Sequence, residues 1–124
     1  RETTKILDSN IKTTSTTDRV PVSTAHSESL NIETEKPFEV DQIKQLIAES
    51  PGIVLEDDPE KNIYPLAINA AGKDPVYVGR ICRDLSAENA LNMWCVSYNL
   101  RKGAALNTVQ IAREFINRNM VKVK

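Results

Sequence analysis

The chain has 124 residues, a length typical of one domain, and we expect residues 1–124 to form a single domain. Sixteen basic and 17 acidic residues give a net charge of −1, which argues against a general nucleic-acid binder, because such proteins need a basic surplus. Hydrophobic residues make up 40% of the chain, enough for a core, and no apolar run is long enough to cross a membrane. The chain lacks an initiator Met and a signal-peptide pattern, and we interpret it as a fragment of a longer protein.

The first half of the chain contains signals for two helices and two strands. A short helix is expected to end near Asn10, and the Thr- and Val-rich residues 11–22 favour a strand because β-branched side chains fit a pleated surface. Residues 27–35 alternate between apolar and polar side chains, which predicts a half-buried strand. Apolar residues then recur every three or four positions and predict a helix between Pro37 and the breaker sequence at 50–52.

The second half predicts three further strands and a final helix. Strands are expected over 53–55, 76–83 and 91–98, with a hairpin-length loop over 84–90 and a helix over 104–117. The acidic residues 56–62 are interpreted as a solvated loop, because they lack the spacing and the central glycine of a calcium site. The predicted fold class is α+β, with a single mixed sheet covered by helices in the order β-β-α-β-β-β-α.

Few residues carry recognisable chemistry. His26 is the only histidine and the two cysteines do not form a Cys-x-x-Cys pair, so a zinc site is not expected. No glycine-rich dinucleotide fingerprint and no serine nucleophile motif is present. A lone histidine is more often structural than catalytic. The alternative for His26 rests on its position among small polar residues downstream of Arg19, where an imidazole can exchange protons while a guanidinium binds a carboxylate.

Four segments together resemble one enzyme family. They are residues 19–22 (RVPV), 26–29 (HSES), 70–81 (AAGKDPVYVGRI) and 99–112 (NLRKGAALNTVQIA). The residues of these segments and their order along the chain resemble those of the C-terminal, substrate-binding and dimerisation domain of aspartate-semialdehyde dehydrogenase.

The resemblance implies an NADP-dependent oxidoreductase that interconverts aspartyl phosphate and aspartate semialdehyde in the cytoplasm. By motif, His26 matches the family's acid/base histidine, Arg19 the arginine that binds the substrate carboxylate, and Asn99 the residue that contacts the nicotinamide. The family's nucleotide-binding domain and its nucleophilic cysteine lie upstream of the matched residues. We therefore expect no cofactor and no dehydrogenase activity for this chain alone.

Two departures from the family wording are cysteines, Cys82 and Cys95. Symmetric pairing of the two strands about their loop predicts that these cysteines lie directly opposite each other, within reach of a disulfide. Two free buried thiols are the alternative, because cysteine is also a good small hydrophobic residue.

The remaining departures suggest a hypothesis about binding. Polar replacements are expected to keep a cut domain face soluble, and an aromatic and charged group is expected to form a protein-binding patch. The first set is Asp18, Ser23 and Thr24, and the second is Tyr98, Arg113 and Phe115. The predicted function is an altered, inactive fragment used as an engineered binding scaffold for a protein partner. The alternative is a dehydrogenase fragment that is active only with its missing half, whose partners are that half or a homodimer mate, with neither nucleic acid nor membrane involved.

Overall fold

A computed structural model describes residues 2–121. The elements in chain order are α1 (Glu2–Ile6), β1 (His26–Glu33), α2 (Val40–Glu49), β2 (Ile53–Leu55), α3 (Ala67–Ala70), β3 (Val76–Arg83), β4 (Ala90–Ser97), a wide π-type helical turn (Arg101–Ala105) and α4 (Leu106–Asn117).

The strands form one sheet in the order β1-β4-β3-β2. β4 pairs antiparallel with both β1 and β3, while β2 pairs parallel with β3, so the sheet is mixed. The predicted α+β class and the single mixed sheet are confirmed, with four strands in the described residues in place of the five expected.

Helix α2 covers one face of the sheet because its apolar residues share one side. Val40, Ile43 and Ile47 recur at helical spacing and pack against a buried cluster formed by Val78, Ile81 and Leu91. Together these residues form the larger part of the hydrophobic core, and they fix which face of the sheet remains open.

The opposite face of the sheet carries a second, smaller cluster. Tyr77 and Val96 pack there against Ala70 of the short helix α3, with Trp94 and Ala67 partly buried beside them. Helix α3 has only four residues, so much of this face is left uncovered. We call this face, which is opposite α2, the open face.

The predicted strand over 11–22 is wrong. Residues 11–20 are all solvent-exposed and form no helix or strand. Branched side chains favour a strand only when neighbouring strands and a packed face receive them, and neither is available to this segment. The predicted strands over 27–35 and 91–98 and the helix over 104–117 are present with ends shifted by one to two residues.

The described chain exposes much more surface than a compact protein of its mass. Its accessible surface is 10218 Å², whereas a folded monomer of 13.8 kDa is expected to expose about 6,600 Å². Helix α4 contributes to this excess because none of its residues is buried. Among residues 2–121 no helix combines the length and the apolar character that a membrane crossing requires.

Candidate functional site

The candidate acid/base residue His26 is the first residue of β1, and its side chain is exposed. It lies directly opposite Ser97, the last residue of β4. The preceding residue, Ala25, is buried and has a left-handed backbone (φ 73°). Non-glycine residues in this conformation are strained, and such strain is common beside functional residues.

Asn99 lies at the same end of the sheet as His26. It is half-buried, two residues beyond Ser97, in the turn that follows β4. The carbonyl of Tyr98 closes this turn by accepting the backbone N–H groups of Arg101 and Lys102, both at 3.0 Å. The antiparallel pairing of β1 with β4 therefore brings His26 and Asn99 to the same end of the sheet, although they are 73 residues apart in sequence.

Arg19 is not held against these two residues. It is exposed in the irregular segment before β1, and no hydrogen bond or ion pair joins its side chain to another residue within 2–121. Its position as a substrate-binding residue stays a prediction from the family resemblance.

The six residues named in the binding hypothesis lie in three different parts of the chain. Asp18 and Ser23 are exposed and Thr24 is half-buried in the irregular segment, while Tyr98 is half-buried at the end of β4. Arg113 and Phe115 both lie on α4 but are two positions apart, which turns them about 200° from each other around the helix. The expected patch of Tyr98, Arg113 and Phe115 is therefore not supported by the helix geometry.

The predicted pairing of Cys82 with Cys95 is also wrong, and both are free thiols. A β-bulge between Gly79 and Cys82 shifts the register, so Cys95 lies opposite Val78 and Cys82 lies opposite Asn92. The bulge also separates the two side chains: Cys95 packs in the α2 cluster, whereas Cys82 lines a concavity on the open face.

The open face carries a concavity beside α3. It has a volume of about 450 Å³ and lies among aromatic and small side chains together with one arginine. Its lining residues are Ser27, Tyr64, Pro65, Leu66, Ala67, Arg80 and Trp94. A second, smaller concavity of about 260 Å³ shares Arg80 and Trp94 with the first.

The strands present mostly uncharged polar groups around these concavities. Opposed residues of an antiparallel pair project to the same side, so Ser27, Ser29 and Asn31 of β1 share the open face with Asn92 and Trp94 of β4. Tyr64 and Leu66 are respectively 39% and 43% exposed beside them. Aromatic residues and arginine, both present on this face, are residue types that are enriched at protein interfaces.

Sequence reasoning did not identify this face. The alternation of β1 predicts one buried and one exposed side of the strand, but no local pattern indicates which face of the sheet α2 covers. Within residues 2–121 no group of three or more potential metal ligands is found.

Comparisons with known proteins agree with this architecture. The family model described as "Semialdehyde dehydrogenase, dimerisation domain" matches residues 1–102. Aspartate-semialdehyde dehydrogenase of Aquifex aeolicus is 44% identical over 121 residues, which are 97% of this chain and 36% of that protein. The enzyme of Shewanella violacea is 49% identical over 117 residues, covering 93% of this chain and 34% of that protein.

A solved structure leads to the same family. The crystal structure of aspartate semialdehyde dehydrogenase II from Vibrio cholerae superposes with a TM-score of 0.72 at 38% identity, covering 80% of this chain and 29% of that one. The chain thus spans about one third of the length of the curated relatives it matches. Because the family model covers most of its residues, the chain belongs to the semialdehyde dehydrogenase dimerisation-domain family, as the sequence resemblance predicted.

Proposed function

We propose that this chain is the dimerisation unit of an aspartate-semialdehyde dehydrogenase and pairs with a second copy of itself through the open face. The observation that carries the proposal is the coincidence of two features. The residues matched to a dimerisation domain, 1–102, contain the whole sheet, and that sheet has one face covered by α2 and the other largely uncovered.

The amount and the character of the exposed surface support pairing. A standard protein interface removes about 800 Å² from each partner, which is less than the excess in the 10218 Å² that the whole chain exposes, an excess to which α4 also contributes. The β1 and β4 side chains around the concavities are neutral. Two copies related by a two-fold axis therefore bring these strands together without opposing like charges.

The catalytic part of the proposal assigns His26 to proton transfer, Arg19 to the substrate carboxylate and Asn99 to the nicotinamide of NADP. The location of His26 and Asn99 at one sheet edge supports it, since a substrate and a cofactor that react must meet at one place. The family chemistry also needs an activated cysteine. Neither cysteine suits that role, because Cys95 packs beneath α2 and burial raises its pKa to about 11, while Cys82 lies on the face proposed for dimerisation.

The engineered-scaffold hypothesis receives no support from the fold or from the comparisons. Relatives at 44–49% identity differ from this chain at about half of the aligned positions. Departures at a few positions such as Asp18, Cys82 or Tyr98 are therefore ordinary variation within such a family and need no design.

The proposal is tested by sedimentation equilibrium of the 124-residue chain over a range of concentrations. We expect a reversible monomer–dimer equilibrium. Ser29→Asp adds a charge to the open face and is expected to weaken the dimer, because the two-fold axis places two new charges in one interface. Ser15→Asp adds the same charge in the exposed irregular segment and serves as the matched control.

Two results would contradict the proposal. A wild-type chain that stays monomeric at every concentration would exclude self-association. A dimer that Ser29→Asp and Ser15→Asp affect equally would place the interface away from the open face. For the catalytic part, Asn replacement of His26 in the complete enzyme is expected to reduce kcat strongly while the dimer remains intact.

A further inference from the structure

The bulge in β3 forces an unusual backbone on a long side chain. Arg80, between Gly79 and Cys82, has a left-handed conformation with φ 55°. Glycine and asparagine adopt this region readily, whereas arginine does so at a cost in free energy. Other contacts must therefore hold the backbone of Arg80 in this conformation, and a function of its side chain would explain why arginine is present in place of glycine.

The carboxylate of Asp57 holds the strained backbone. Its Oδ1 accepts the N–H of Arg80 at 2.9 Å and its Oδ2 accepts the N–H of Ile81 at 3.4 Å. The same Oδ2 pairs with Nζ of Lys44 on α2 at 2.8 Å, and the Asp57 side chain is only 2% exposed. This carboxylate thus joins the bulge to the helix on the covered face, and it is not the solvated loop residue that the sequence predicted.

The side chain of Arg80 projects to the open face. It lines both concavities there, beside Trp94, and its guanidinium carbon lies 5.8 Å from the centre of the Tyr64 ring. Within residues 2–121 the guanidinium makes neither a hydrogen bond nor an ion pair. Its five N–H donors are therefore available to acceptors outside this copy of the chain.

We propose that the bulge, which Asp57 holds in place, directs Arg80 out of the open face so that its side chain is the main polar contact of the homodimer. We call Arg80 in this role the polar anchor. In this arrangement the guanidinium donates to the serine and asparagine oxygens on the open face of a second copy. The inference rests on the proposed function, since it names the residue that dominates the interface proposed above. Arginine, tryptophan and tyrosine are the residues most enriched among those that dominate binding energy, and all three meet here.

The chemistry of the open face favours a second copy as the occupant. Strand β1 offers neutral oxygen acceptors on this face: Ser27 lines the larger concavity, Ser29 lines the smaller one, and Asn31 lies further along the same face. The β1 and β4 side chains on this face include no cation, so an arginine from a second copy meets neutral acceptors at these strands. A two-fold axis uses the arrangement twice, because each copy supplies one guanidinium and one set of acceptors.

If Arg80 serves the dimer, its left-handed backbone lowers the stability of the monomer, while its guanidinium strengthens the dimer. Arg80→Gly removes both the guanidinium and the left-handed strain. We expect its dimer dissociation constant to rise at least tenfold, while the urea midpoint of the dilute, monomeric protein stays equal or increases. Arg80→Asn is the second variant, because asparagine tolerates the same backbone and provides a short polar side chain.

Arg118→Gly is the matched control. Arg118 follows α4, where glycine is well tolerated, and its ion pair with Glu114 is solvent-exposed. The dimer dissociation constant of this variant is expected to stay at the wild-type value.

The outcomes separate this inference from the proposed function. If the wild type dimerises and both Arg80 variants dimerise equally well, the anchor proposal is wrong and the dimer proposal stands. A fall in the urea midpoint of both variants, large enough to explain weaker dimers, also overturns the anchor proposal. If the wild type never dimerises, both proposals are overturned.

Discussion

Gly79 lies so close to Glu56 that the chain has no room for a side chain at position 79. A Cβ there would come within 2.0 Å of the Glu56 carbonyl oxygen and within 2.7 Å of Cδ of Pro65. The contact joins β3 to the segment that follows β2, immediately before the bulge that carries Arg80. The absence of a side chain at position 79 is thus a condition for both the parallel strand pair and the bulge.

Gly79→Ala is expected to destabilise the fold by about 3 kcal/mol, because the obstructing atoms are backbone and a proline ring, which cannot move aside cheaply. The measurement is urea denaturation followed by the fluorescence of Trp94. Gly103→Ala is the matched control, since its nearest neighbour, Cβ of Asn99, is 3.8 Å away. An equal effect of the two substitutions would show that the close approach at Gly79 is not the cause.

Leu91→Ala is expected to lower the free energy of unfolding by about 3 kcal/mol, because it removes a buried side chain and leaves a cavity. Leu91 is 2% exposed within the α2 cluster, whereas Leu85 in the hairpin loop is 95% exposed. Leu85→Ala makes the same chemical change and is expected to alter stability by less than about 0.5 kcal/mol. Chemical denaturation of both variants checks this difference, and similar losses would contradict the observed assignment of the core.

The elements that were predicted correctly are those in which apolar residues recur at the helical or strand spacing within the element itself. The apolar spacing of Val40, Ile43 and Ile47 predicted α2, and the alternation in residues 27–35 predicted β1, because each pattern reflects the face that the element buries. The family resemblance assigns an acid/base role to His26 and a cofactor contact to Asn99, and both roles stay predictions. The sheet register places these two residues at the same end of the sheet.

Features that depend on distant residues were missed. The bulge depends on the close approach of Glu56 to Gly79 and on the carboxylate of Asp57. Residues 76–83 contain no sequence signal that predicts it. The error in pairing Cys82 with Cys95 follows directly, since symmetric counting about a loop assumes an unbroken ladder. The open face was also not predicted, because it depends on which side of the sheet α2 covers, and α2 is distant in sequence from β3 and β4.

The hairpin loop provides a prediction about acidity. Asp84 accepts hydrogen bonds from the backbone N–H of Ser86 at 2.8 Å, from its hydroxyl at 2.7 Å and from the amide of Asn31 at 2.6 Å. These bonds, those from Ser86 first, hold the pKa of the Asp84 carboxyl below its ordinary value of 3.8. The ionised carboxylate therefore favours the folded state above that ordinary value, and this contribution is lost as the pH falls through the lowered pKa.

Ser86→Ala is expected to move the pKa of Asp84 upward, because it removes the hydroxyl donor while the backbone donor remains. Titration of the carboxyl carbon by NMR measures the change directly. Ser9→Ala, in an exposed turn, is the control and should leave the Asp84 titration as it is in the wild type. An unchanged pKa in Ser86→Ala would mean that the hydroxyl contributes nothing.

The two thiols are expected to react at very different rates. Burial, together with the charge of Glu28 directly opposite on β1, raises the pKa of Cys95 to about 11 from an ordinary 9.0. Because the thiolate is the reactive form, Cys95 has a thiolate fraction about a hundredfold below that of an ordinary thiol at neutral pH. Cys82 is exposed in the single chain, so we expect alkylation at pH 8 to label it first at concentrations low enough to keep the chain monomeric.

Mass spectrometry of the alkylated chain without reductant is the measurement. We expect one fast and one slow addition, and Cys82→Ser is expected to leave only the slow one. Because the folded state holds the Cys95 proton more tightly than the unfolded state, this group stabilises the fold below about pH 9 and loses that contribution as the pH rises towards 11. Failure of both cysteines to react unless a reductant is added would restore the disulfide and overturn the observed register.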